Sequence, residues 1–160
     1  MTVGKGTEGF RAVCRGALAI PLVLAACVAG EETRIEGQTA VSFVEELRRE
    51  GWKVAQGRDG EFRVAWRSLA AGNEVPRNKE FDMELYVLAG DAPLAGAQVR
   101  VRGWMPDHGH GLARRPPVSE PEPGRYRVEG MLLHMRGHWQ VFFDIAYEGV
   151  GDIVEFEERL

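Results

Sequence analysis

Cysteine is nearly absent from this chain: Cys14 and Cys27 are the only two among 160 residues. Past Cys27 there is no thiol for a disulfide, a metal thiolate or a nucleophile. Serine is almost as scarce. Ser42, Ser68 and Ser119 are the only three, none beside a histidine in sequence, and no G-x-S-x-G elbow occurs. "GHGLAR" lacks the third glycine of a dinucleotide-binding loop and does not open a helix after a buried parallel strand. No Lys/Arg-rich block interrupts a formal charge of −4, so the basic footprint expected of a nucleic-acid binder is missing. Asp and Glu are plentiful but spread along polar strand faces, where solvated charges belong. These absences leave no catalytic machinery to name, and the chain reads as a non-enzyme.

What is present is globular. Apolar residues make up 44% and charged residues 28%, enough for one domain with a core of its own. The N-terminus has a different character. Lys5, Arg11 and Arg15 precede the apolar run "GALAIPLVLAA" (16–26), too short for the roughly 20 residues of a membrane-spanning helix. A short apolar run behind basic residues is the pattern of a secretory signal. It ends in "LAAC" (24–27), which resembles a bacterial lipobox at all four positions. The resemblance implies cleavage before Cys27 and lipid attachment there, with Val28 favouring the outer membrane. The alternative is an ordinary signal with a chance cysteine. Loss of residues 1–26 removes three basic residues and one acidic one, leaving 17 against 23 and a charge of −6. The expected organisation is signal peptide 1–26, lipidated tether 27–38 and a domain over 39–160. The expected location is the periplasmic side of a bacterial cell envelope.

Within the domain, "TAVSFVEELRREG" (39–51) spaces Val41, Val44 and Leu47 as one helical face, with Gly51 as its stop. The period then drops to two. "WKVAQ" (52–56) and "EFRVAWRS" (61–68) lead, followed by "EFDMELYVL" (80–88), "AQVRVRGW" (97–104) and "GRYRVEGML" (124–132). "HWQVFFDIAY" (138–147) and "DIVEF" (152–156) close the series. Inward positions include Phe62, Val64 and Trp66 against outward Arg63, Ala65 and Arg67. Turn residues separate the runs at "GRDG", "AGDAPLAG", "PEPG", "MRGH" and "EGVG". The pattern predicts an all-β, immunoglobulin-like antiparallel β-sandwich of about seven strands, with one short N-terminal helix after a lipid tether.

One stretch stands apart. "WMPDHGHGLARRPPV" (104–118) carries Met105, His108 and His110, and all four histidines of the chain fall within 31 residues. His134 and His138 complete them, with Met135 between. Imidazole and thioether suit copper in either oxidation state better than magnesium or calcium. Met105, His108, His110, His134 and Met135 are therefore candidate ligands for one copper ion, provided the two strand ends share a pole. Gly109 and Gly111 would let the two loop histidines face one point. A structural loop remains the other reading: Pro106 fixes φ, Asp107 caps backbone amides, and the histidines bond carbonyls. On that reading Met135 belongs to the core and His138 to an exposed face or turn.

The segment from about 80 to 145 resembles the YtkA-like family, which is similar in turn to FixH proteins. "MPDHGHG" (105–111), "PPV" (116–118), "GRYRVEGM" (124–131) and "MRGHW" (135–139) carry the likeness. Residues 28–75 gain nothing from it. The resemblance implies a secreted or membrane-anchored immunoglobulin-like domain, and FixH proteins accompany cation pumps and the assembly of copper-containing oxidases. The implied positions are Met105, Pro106, Gly109, His110, Gly111, Tyr126, Met135, Gly137 and Trp139. His108 departs from the family's frequent methionine, which as a ligand would shift preference from Cu(I) towards Cu(II). The functional expectation is a lipid-anchored envelope protein that handles copper and meets a membrane partner, such as a metal transporter or an oxidase assembly factor. The competing expectation is a non-metal interaction module that docks through Arg114, Arg115, Pro116 and Pro117.

Overall fold

The computed structural model describes residues 41–160. Cys27, the signal peptide and the tether lie outside the described residues. The helix expected near the start is α1 (Phe43–Arg49), capped by the Ser42 hydroxyl, which accepts from the Glu45 amide at 3.2 Å. Glu45 and Glu46 in its first turn and Arg48 and Arg49 in its last complement the helix dipole. Gly51 ends it at φ 84°, while the Trp52 amide reaches back to Leu47 carbonyl. Val44 and Leu47 are buried as the spacing predicts. Val41 is not: it precedes the cap and is half exposed.

Ten strands follow: β1 (Lys53–Gln56), β2 (Phe62–Ser68), β3 (Phe81–Ala89), β4 (Ala92–Pro93), β5 (Gln98–Met105), β6 (His110–Gly111), β7 (Val118–Glu122), β8 (Arg125–Met131), β9 (His138–Tyr147) and β10 (Val150–Arg159). One sheet runs β1-β2-β3-β8-β7, with β4 paired to β3, and the other runs β10-β9-β5-β6. Every named pairing is antiparallel. The seven alternating runs all become strands. The three additions are two-residue β4 and β6, and β7. β7 contains Pro121 and occupies an edge, where a missing N–H breaks no ladder.

Between the sheets, Val64, Trp66, Met83, Leu85 and Tyr126 meet Val101, Trp139, Val141, Phe143 and Val154 in one core. Ala65 and Leu88, which fall in the outward-facing phase, are fully buried too. α1 lies over the outer face of the first sheet, and Val44, Leu47 and Trp52 cover them there. Beside this second cluster Glu84 accepts from both Arg67 and Arg125, so its buried carboxylate is paired. Tyr126 fixes the segment entering β5: its hydroxyl accepts from Ala97 amide at 2.9 Å and donates to Leu94 carbonyl at 2.8 Å. Burial pushes the Tyr126 hydroxyl pKa up.

Candidate functional site at the tip of the smaller sheet

The "MPDHGHG" stretch is the β5–β6 hairpin. Trp104 pairs with Gly111 and Met105 with His110, leaving residues 106–109 as the connection. Met105 carbonyl accepts from the amides of His108 at 3.1 Å and Gly109 at 2.9 Å, closing a tight turn. Pro106 supplies a preset φ at its second position, and Gly109 takes φ 68°, where a side chain is disfavoured. Because the pairing is antiparallel, Met105 and His110 side chains leave the same face of the hairpin. Met105 continues into the core and is fully buried.

His110 is half-buried, and its two nitrogens have different neighbours. Nδ1 lies 3.1 Å from Gly111 carbonyl, and Nε2 lies 3.2 Å from Met135 sulfur. A carbonyl only accepts, so the Nδ1 contact is a hydrogen bond when that nitrogen carries the proton. In that tautomer Nε2 turns its lone pair to the thioether, and in the other Nε2 donates an N–H to the sulfur.

Met135 reaches this point from the β8–β9 loop, not from the core of a strand. Trp139 at the start of β9 donates its indole N–H to Met135 carbonyl at 3.0 Å, which holds the loop in place. Gly137 in the same loop has φ 128°, and a Cβ there would fall 2.5 Å from Met105 Cε. Its amide and carbonyl both bond the backbone of Leu160, at 3.0 and 3.1 Å. His134 stacks on His110 with ring centroids 5.2 Å apart. The buried Trp139 indole sits edge-on to both rings, 5.8 Å from His110 and 5.6 Å from His134. His134 Nδ1 is closed to solvent and has no hydrogen-bond partner among the described residues.

Met105, His110, His134 and Met135 therefore gather at one pole around Trp139. His108 is exposed on the turn, its ring 5.9 Å from that of His110. The two loop histidines thus do not form the innermost pair. His110 with Met135 does, although 25 residues separate them in sequence. His138 faces Glu157 of β10 at 3.4 Å instead. Among the described residues no three His, Cys, Asp or Glu side chains close on one point, so the cluster is a mixed nitrogen and sulfur set. Sequence reasoning passed over Trp104: it is 43% exposed and borders a groove of about 540 Å³ with Leu112, Phe142 and Arg114. Its place in an alternating run disguised it as one more strand residue.

Two antiparallel sheets enclosing one core, with a histidine–methionine cluster at one end, define an immunoglobulin-like β-sandwich domain. Residues 55–143 match the YtkA-like family, more than half of the chain, and the chain belongs to that family. The match begins inside β1, so the likeness extends upstream of residue 75. No curated protein matches the chain.

Proposed function

We propose that this YtkA-like chain is a copper-handling protein of the bacterial envelope, which binds one ion weakly at the sandwich tip and exchanges it with a partner. The single observation behind this reading is the 3.2 Å approach of His110 Nε2 to Met135 sulfur. In the tautomer that carries its proton on Nδ1, this contact sets a nitrogen and a sulfur lone pair side by side, an arrangement that a shared cation stabilises. Metal bonds of about 2.0 Å to nitrogen and 2.3 Å to sulfur, meeting at 95–110°, put the two atoms roughly 3.2–3.5 Å apart. Imidazole with thioether is a copper-type donor set, and among the described residues no thiolate competes with it. Secretion, lipid attachment at Cys27 and anchorage on the periplasmic side, with the outer membrane favoured, belong to the same proposal. The partner is an envelope protein such as a metal transporter or an oxidase assembly factor. Calorimetric titration of the full chain with Cu(II), and with Cu(I) under reductant, should reveal about one saturable equivalent. Replacing both His108 and His110 by alanine should abolish it. A flat titration in both oxidation states would sink this reading.

A second reading, a non-metal interaction module, draws on the groove beside Trp104 and on the closed backbone turn of the hairpin. It expects pull-downs from detergent-solubilised envelope to recover one partner with and without metal. Recovery that disappears on Trp104→Ala but survives His110→Ala would favour it over copper handling.

A further inference from the structure

We propose, resting on the copper reading above, that the tip selects a monovalent soft cation, Cu(I) or Ag(I), over divalent ions, and that His134 supplies its third ligand. Three observations carry this. The pair already in contact brings no negative charge as ligands: a thioether and an imidazole whose other nitrogen lies against a carbonyl. On the ring stacked 5.2 Å from that of His110, His134 Nδ1 is shut off from solvent without a partner among the described residues. An unsatisfied buried nitrogen is unfavourable, and coordination removes that penalty. The third observation is the floor of the site, where the Trp139 indole packs edge-on to both imidazoles.

Charge then decides which ion remains. The desolvation penalty of an ion grows with the square of its charge, so a divalent ion meets about four times the penalty of a monovalent one in the same half-buried site. Carboxylates or thiolates usually offset that difference. Here no thiol lies in the described residues, and Asp107 of the adjoining turn is exposed to water. No three-membered His, Cys, Asp or Glu group is available to complete a hard site among the described residues. Sulfur ligation adds a preference of its own for soft ions. Three ligands also match the low coordination number that Cu(I) and Ag(I) accept. His108, exposed at the rim, is then dispensable for affinity, and its exchange for the family's methionine leaves the preference for Cu(I) in place.

The test uses the full chain with Ag(I) as a redox-inert probe, in parallel with Cu(I) under reductant, Cu(II) and Zn(II). Binding of one Ag(I) should be at least about 100-fold tighter than that of Cu(II) or Zn(II). Met135→Leu and His134→Ala should each weaken Ag(I) binding by about 10-fold or more, in the range expected when a group supporting a metal is removed. A second readout needs no variant. On Ag(I) addition, the NMR signals of the Met135 methyl, His110 Nε2 and His134 Nδ1 should shift together, while those of His108 stay put. Equal affinity for Cu(II) or Zn(II), or an unshifted His134, overturns the inference and leaves the copper reading standing. Failure of every metal to saturate the chain overturns both.

Discussion

Asp152 near the start of β10 is a buried carboxylate with no cationic partner among the described residues, and its replacement by asparagine tests how the two sheets are tied. Four backbone amides donate to it: Asp59 at 3.0 Å, Glu61 at 3.0 Å, Phe62 at 3.1 Å and Ile153 at 2.7 Å. It thereby fastens the β1–β2 turn of one sheet to an edge strand of the other. Gly57 opposite is obligatory, since a Cβ there would lie 2.0 Å from an Asp152 oxygen. Burial alone would push the Asp152 carboxyl up, but the four amides outweigh it and hold the group below the ordinary aspartate range. Asparagine keeps one oxygen, enough for the Asp59 and Ile153 amides, and turns N–H groups towards Glu61 and Phe62. Two stranded donors at about 1–3 kcal/mol each, together with weakened charge-assisted bonds, predict a loss of about 3–5 kcal/mol. That is a large share of the 5–15 kcal/mol typical of a whole domain. Urea unfolding at neutral pH should show a lower midpoint with an unchanged slope. The stabilisation from the depressed pKa is complete above the unfolded value near 4 and is lost as pH falls through the folded one. The wild type should therefore lose stability in that acid window more steeply than Asp152→Asn. A midpoint change worth less than about 1 kcal/mol, or parallel acid limbs, would refute the account of the carboxylate as the tie.

Gly137→Ala should destabilise by about 2–4 kcal/mol, combining a backbone angle unfavourable to side chains with overpacking against Met105. It should also weaken Ag(I) binding, and a thermal melt with a parallel titration reads both effects. Tyr126→Phe strands Ala97 amide and Leu94 carbonyl, so urea unfolding should show a loss of about 1–3 kcal/mol with metal binding unchanged.

Local patterns were legible because their causes are local. Period-two alternation marked all seven main strands, the spacing of Val44 and Leu47 marked a helical face, and Gly51 marked its end. β7 escaped notice because a proline-bearing edge strand with polar side chains has no alternation to read. Alternation alone puts Ala65 and Leu88 on the solvent face, because it has no knowledge of a helix packed over that face. Val41 keeps the helical spacing, yet it stands before the cap and never joins the apolar face.

The candidate site divides in the same way. The chain itself determined its materials: imidazoles and thioethers in two short stretches, a Pro–Gly turn to bend one of them, and no thiol past Cys27 to compete. Their ranking came from the tertiary structure alone. His108 and His110, two residues apart, separate into an exposed and a half-buried position, whereas His110 and Met135 touch across 25 residues. The reason is geometric. Which loops share a pole depends on the order of strands in the sheet and on antiparallel register, both set by long-range pairing and burial. The contact between His110 of β6 and Met135 of the β8–β9 loop therefore exists only once β5, β6 and β9 have assembled.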